Sequence, residues 1–94
     1  MLWGVYMTHK EVAEWMLAQF NKSKELYQED AVYGIESKFG REFVYENESG
    51  NLAIDKKVLR EFKKLTETFV MWERGDRFWR LREKGDPVGK RQAE

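Results

Sequence analysis

The stretch DKKVLREFKKLTETFVMWERGDRFWRLRE, residues 55–83, changes its hydrophobic period partway along. In its first half Val58, Leu59, Phe62 and Leu65 recur at intervals of three and four, which places them on one face of a helix. Asp55 stands where an N-cap side chain would accept a backbone N–H, and the helical pattern fades at residues 66–68. From Phe69 to Glu83 an alternation of period two takes over, centred on Gly75-Asp76, a glycine-first pair suited to a type II′ hairpin turn. A two-residue loop there sets a register. It puts Trp72 opposite Trp79 and Val70 opposite Leu81 on the face that packs on the helices, and it leaves Met71, Glu73, Phe78, Arg80 and Arg82 on the other.

Working back from this helix and hairpin, Thr8-His9-Lys10-Glu11 fits a capping box, and Val12, Trp15, Met16 and Phe20 come after it at helical spacing. The polar run from Asn21 to Glu25 reads as the end of that first helix, with Leu26-Tyr27 docking a loop. Asp30 is read as the cap of a second helix carrying Val32, Ile35 and Phe39, stopped at Gly40 in a left-handed conformation and weakened within by Gly34. Phe43-Val44-Tyr45 and Leu52-Ala53-Ile54 have strand character, and Asn47 to Asn51 supplies turn residues between them. The expected fold class is therefore α+β: three helices, a C-terminal β-hairpin, and an extra short hairpin before the third helix.

Ninety-four residues suit one hydrophobic core, which we bound at residues 8–83, with 1–7 as an N-terminal extension and 84–94 as a mobile tail in which Gly85, Pro87 and Gly89 lie among charges. Four tryptophans, four tyrosines, six phenylalanines and a single proline place the chain far from disordered compositions. The absence of cysteine excludes a disulfide framework, a zinc-thiolate site and a thiol nucleophile, and a cytoplasmic location is expected. The apolar opening from Met1 to Met7 is much shorter than a membrane span and lacks the pattern of a signal peptide, so no membrane partner is expected.

Little in the sequence suggests catalysis. The one histidine, His9, falls in the first turn of a helix, where a solvated role is ordinary, and no serine or cysteine is set beside a base. There is no metal-ligand spacing, phosphate loop or cofactor motif, so a non-enzymatic domain without cofactor or small-molecule substrate is expected. Arg74-Gly75-Asp76 spells an adhesion tripeptide but is better explained as a turn.

Charge is more informative. The formal net charge is zero, yet residues 1–55 hold five Lys/Arg against ten Asp/Glu while residues 56–94 hold twelve against seven. Any anion-binding surface should lie in the second part. There Lys56, Lys57, Arg60, Lys63 and Lys64 share the helix face opposite the apolar stripe, and the hairpin adds Arg74, Arg77, Arg80 and Arg82. A helix with one apolar and one basic side, leading into a basic hairpin, has the parts needed to straddle a phosphate backbone. The ordinary alternative is a solvated charged face.

The order helix, helix, helix, hairpin resembles a winged-helix arrangement. The segments Phe39-Gly40, Phe43-Val44-Tyr45, Gly50-Asn51-Leu52-Ala53-Ile54, Val58-Leu59, Phe62 and Trp79-Arg80-Leu81-Arg82 resemble a small family of uncharacterised bacterial proteins over residues 8–86. The resemblance implies a fold rather than an activity. The chain departs from a winged-helix DNA binder between Gly40 and Asp55, a span long enough for an extra hairpin where a short turn is usual. The competing functional reading is a protein-interaction or self-association module. It rests on aromatic residues with no clear inward place: Trp3, Tyr6, Tyr27, Tyr33 and Phe78.

Overall fold

The computed structural model describes residues 7–86 and 92–93; the N-terminal extension as far as Tyr6, and with it Trp3 and Tyr6, lies outside the described residues. Helix α1 (His9–Ser23) starts on the expected capping box, with Thr8 Oγ1 accepting from the Glu11 backbone N–H at 3.1 Å and Glu11 Oε1 accepting from the Thr8 N–H at 2.9 Å. It ends at Lys24, whose φ of 66° turns the chain sharply while its N–H reaches the Phe20 carbonyl. The next residues form a strand, not a loop: β1 (Glu25–Tyr27) leads directly into α2 (Gln28–Phe39). The second helix thus starts two residues before Asp30, which lies in its first turn, and Tyr27 occupies the cap position without a side-chain bond. The Gln28 N–H is satisfied instead by the Arg77 carbonyl at 2.9 Å, so this helix start is held by tertiary contact.

Gly34 weakens α2 as an isolated helix but has a packing reason. A Cβ at this position would lie 2.3 Å from the outer carbon of the Trp15 indole, so α1 can lay that ring against α2 only over a glycine. Helix α2 stops at Gly40, where φ is 88°, and Arg41–Phe43 form one 3-10 turn that buries Phe43. Phe43 is therefore a core anchor just ahead of the strand. The extra hairpin is present as β2 (Val44–Glu46) paired antiparallel with β3 (Leu52–Ile54); Asn47 Oδ1 closes its turn by accepting from the backbone N–H groups of Ser49 and Asn51.

Helix α3 (Lys56–Thr66) precedes the hairpin of β4 (Val70–Glu73) and β5 (Phe78–Leu81), whose register pairs Trp72 with Trp79 and Val70 with Leu81 as expected. The turn differs. The loop has four residues, 74–77, and the positive φ falls on Arg77 (56°) and not on Gly75, so the type II′ turn is replaced by a wider loop whose last residue is fixed by its bond to α2. Strand β1 pairs with β5, aligning Leu26, Trp79 and Trp72 in one row across the sheet. Gln92–Ala93, β6, lies parallel beside β4 and gives the strand order β1-β5-β4-β6. The reading of a mobile tail from Lys84 did not anticipate this strand, nor the bonds that Asp86 makes to Arg80 and Glu83; residues 87–91 and 94 lie outside the described residues.

The core lies between the helices and the row that carries Trp79. Phe20, Phe62, Met16 and Ile35 are fully buried, each contributing about 1.5–3 kcal/mol by removal from water. Phe62 meets Trp79 edge-on at 5.1 Å, and Trp72 and Trp79 stand 4.8 Å apart, an aromatic pair contributing about 0.5–1.5 kcal/mol beyond burial. Two hairpin positions depart from the expected division of faces. Leu81, at the end of its strand, is exposed, while Met71 on the outer face is fully buried.

Candidate nucleic-acid interface

The geometry of α3 reflects its two-sided sequence. Asp55 Oδ1 accepts from the Lys57 N–H at 2.7 Å and caps the helix as expected, while the Asp55 N–H is itself held by the Phe43 carbonyl. Val58, Phe62 and Thr66 are buried, and the Thr66 hydroxyl donates to the Phe62 carbonyl at 2.7 Å. With that side committed to the core, Lys56, Lys57, Arg60, Lys63 and Lys64 all project into solvent. Among the described residues only Lys64 of the five has an acidic partner, Glu61 at 3.3 Å.

Placement along the helix adds to this. Lys63 and Lys64 lie in the last turn, where the backbone dipole favours cations, but Lys56 and Lys57 stand in the first turn, which contains no acidic residue. Cations there oppose the dipole, at a cost of order 0.3–1 kcal/mol each at an exposed site. The Asp55 carboxylate already caps the positive helix end, so an anion near the start of α3 would be held by the lysine side chains.

The four hairpin arginines do not act together. Arg74 and Arg77 are exposed in the loop. Arg80 lies on the outer face and is tied up: its Nη1 and Nη2 donate to the Asp86 carboxylate at 2.9 and 3.0 Å, and its Nε donates to Glu73 at 2.6 Å. Asp86 also accepts from the Glu83 N–H at 2.6 Å, so the arginine draws the turn at residues 83–86 over this face. Hydrogen bonding to Arg80, then to the Glu83 N–H, holds the Asp86 carboxyl down at about 2, and the same two carboxylates, Asp86 first, raise the Arg80 pKa. Arg82 is half-buried, and its charge also acts on Asp86.

The nine cations grouped by sequence thus fall into a helix face of five, a loop pair, the clasped Arg80 and the half-buried Arg82. Since the opposite face of the hairpin packs on α3 through Trp79 and Phe62, Arg80 points away from the helix. Sequence reasoning missed Glu73 and Asp86 as its partners. Glu73 was legible in principle, because it lies diagonally across the hairpin from Arg80 on the same face. His9 stands edge-on to Phe43 and 3.9 Å from Asp55, at the junction of α1 and α3. Among the described residues no group of three acidic or histidine side chains could hold a metal ion, and no helix is long and apolar enough to cross a membrane.

Three helices and two sheets of mainly antiparallel strands, with a cationic helix face, define a small mixed α+β domain. The chain belongs to the family of unknown function DUF6953, whose sequence profile matches residues 8–81. Comparison with curated proteins gives no match, and comparison with solved structures gives none.

Proposed function

We propose that this is a cytoplasmic, non-enzymatic, winged-helix-like domain that binds nucleic acid through α3, with Lys56, Lys57, Arg60, Lys63 and Lys64 as phosphate and base contacts and the loop arginines Arg74 and Arg77 as flanking phosphate contacts. The observation that carries the reading is the exposed face of five cations, four of them without an acidic partner among the described residues. Their cost at the helix start is offset when phosphate is bound. A second support is topological: three helices precede the terminal hairpin, and β1, between the first two, ties them to it in the order β1-β5-β4-β6. Arg80 has no place in the interface, because its guanidinium is occupied on the opposite side of the hairpin.

The test is a titration of the protein into labelled random-sequence duplex DNA, monitored by fluorescence anisotropy at rising salt. If all five helix cations neutralise phosphates, the logarithm of affinity should fall against the logarithm of salt with a slope of about −4.5. Unchanged affinity in a folded protein carrying Lys57→Ala, Arg60→Ala and Lys64→Ala would refute the reading.

A further inference from the structure

The aromatic side chains that sequence left unplaced come together away from α3. Tyr27 stacks on Phe78 at 4.7 Å with the rings 15° from parallel, and both Tyr27 and Tyr33 line an open groove of about 580 Å³. The groove is formed where the start of α2, the Asn47–Asn51 turn and the Arg74–Arg77 loop meet, so residues far apart in sequence make its walls. Tyr33 is 59% exposed and Tyr27 43%, which leaves their rings accessible, and Phe78 braces Tyr27.

The charges on the walls are Glu29, Asp76 and Arg77, and among the described residues neither carboxylate has a cationic partner. The groove therefore carries a net negative charge beside two accessible tyrosine rings. Aromatic faces attract cations through their quadrupole, and nearby carboxylates add to that attraction. Around this cluster the side-chain amides of Gln28 and Asn51 are unpaired among the described residues, as a polypeptide backbone would need for hydrogen bonds.

We infer that this groove is a docking site for an extended segment of a partner protein that presents a lysine or arginine side chain to Tyr27, Tyr33, Glu29 and Asp76. The occupant is cationic because two carboxylates on the wall outnumber its one cation, Arg77, and extended because the Gln28 and Asn51 amides are placed to bond an unfolded backbone. This surface shares Arg77 with the proposed phosphate contacts but no residue with α3, so the peptide test and the α3 variants can fail separately.

The experiment is a backbone-amide NMR titration of the full chain with end-capped pentapeptides of glycine and serine bearing lysine, norleucine or glutamate at the centre. The lysine peptide should shift the amides of Tyr27, Glu29, Tyr33 and Asn51 and leave those of α3 in place, and the norleucine peptide should bind several-fold more weakly. Tyr33→Ala and the double variant Glu29→Gln/Asp76→Asn should each weaken the lysine peptide by about threefold to tenfold. Shifts of equal size with the glutamate peptide, or none with lysine at millimolar concentration, would overturn the assignment. So would peptide-free broadening of the groove amides that grows with protein concentration, since a second copy, through its own basic helix, would then be the occupant.

Discussion

Helix α3 and the β4–β5 hairpin are both rich in cations, and the fold treats them in opposite ways. On the helix, the apolar stripe turns all five basic side chains outward, and only Lys64 meets a carboxylate among the described residues. On the hairpin, pleating brings Glu73 and Arg80 to one face, the turn beyond β5 adds Asp86, and the arginine becomes a structural clasp with its side chain only 17% exposed. A run of basic residues therefore identifies a binding surface only after the partners supplied by pairing and by later chain segments are known.

The most damaging test of this comparison is Phe62→Ala, because Phe62 joins the two regions through Trp79. Removing a fully buried phenylalanine should cost about 3–5 kcal/mol in a urea titration, enough to threaten the whole domain. Next comes the triple replacement of Lys57, Arg60 and Lys64 by alanine. It should lower duplex affinity by about tenfold to a hundredfold at low salt while leaving the thermal midpoint nearly unchanged, as expected for exposed positions. Arg80→Ala should do the reverse, lowering the thermal midpoint less than Phe62→Ala does and leaving duplex affinity where it was. A loss of affinity with Arg80→Ala would mean that the two regions are one surface after all.

The smallest effect concerns pH. The folded Asp86 carboxyl titrates at about 2, below its ordinary value near 3.8. Its contribution to stability is therefore fully present above the ordinary value and is lost as pH falls from there towards 2. Asp86→Asn should remove that part of the acid dependence, so the difference in midpoint between the two proteins should be larger at neutral pH than near pH 2.

Most of the helical content was legible because its cues are local: the Thr8–Glu11 box, the Asp55 cap and the stripe Val58, Leu59, Phe62, Leu65 each lie within a dozen residues. The register of the main hairpin was legible too, since alternation around a centre at Gly75-Asp76 admits few pairings. The misses share a cause of the other kind. Strand β1 is only three residues long, begins with a glutamate and becomes a strand by pairing with residues more than fifty positions later. Arg77, with its positive φ, accepts a bond from the start of α2, and Met71 is buried on the same hairpin face to which Asp86 returns after β5. As for the site, the helix face was visible from spacing alone. The withdrawal of Arg80 and the gathering of Tyr27, Tyr33 and Phe78 required the sheet.

The pairing of Glu25, Leu26 and Tyr27 with Arg80, Trp79 and Phe78 also sets an order of events during synthesis. Helix α1 carries its capping box within its own segment, but the pairing of β1 with β5 cannot form until residue 81 has emerged. Until then Leu26 lacks its neighbour Trp79, and the edge of β1 is unpaired. Such late, long-range closure slows folding and leaves apolar surface open to wrong partners in the meantime. A nascent chain stalled before β5 should accordingly be protease-sensitive and chaperone-bound, and one extended past the hairpin should be released.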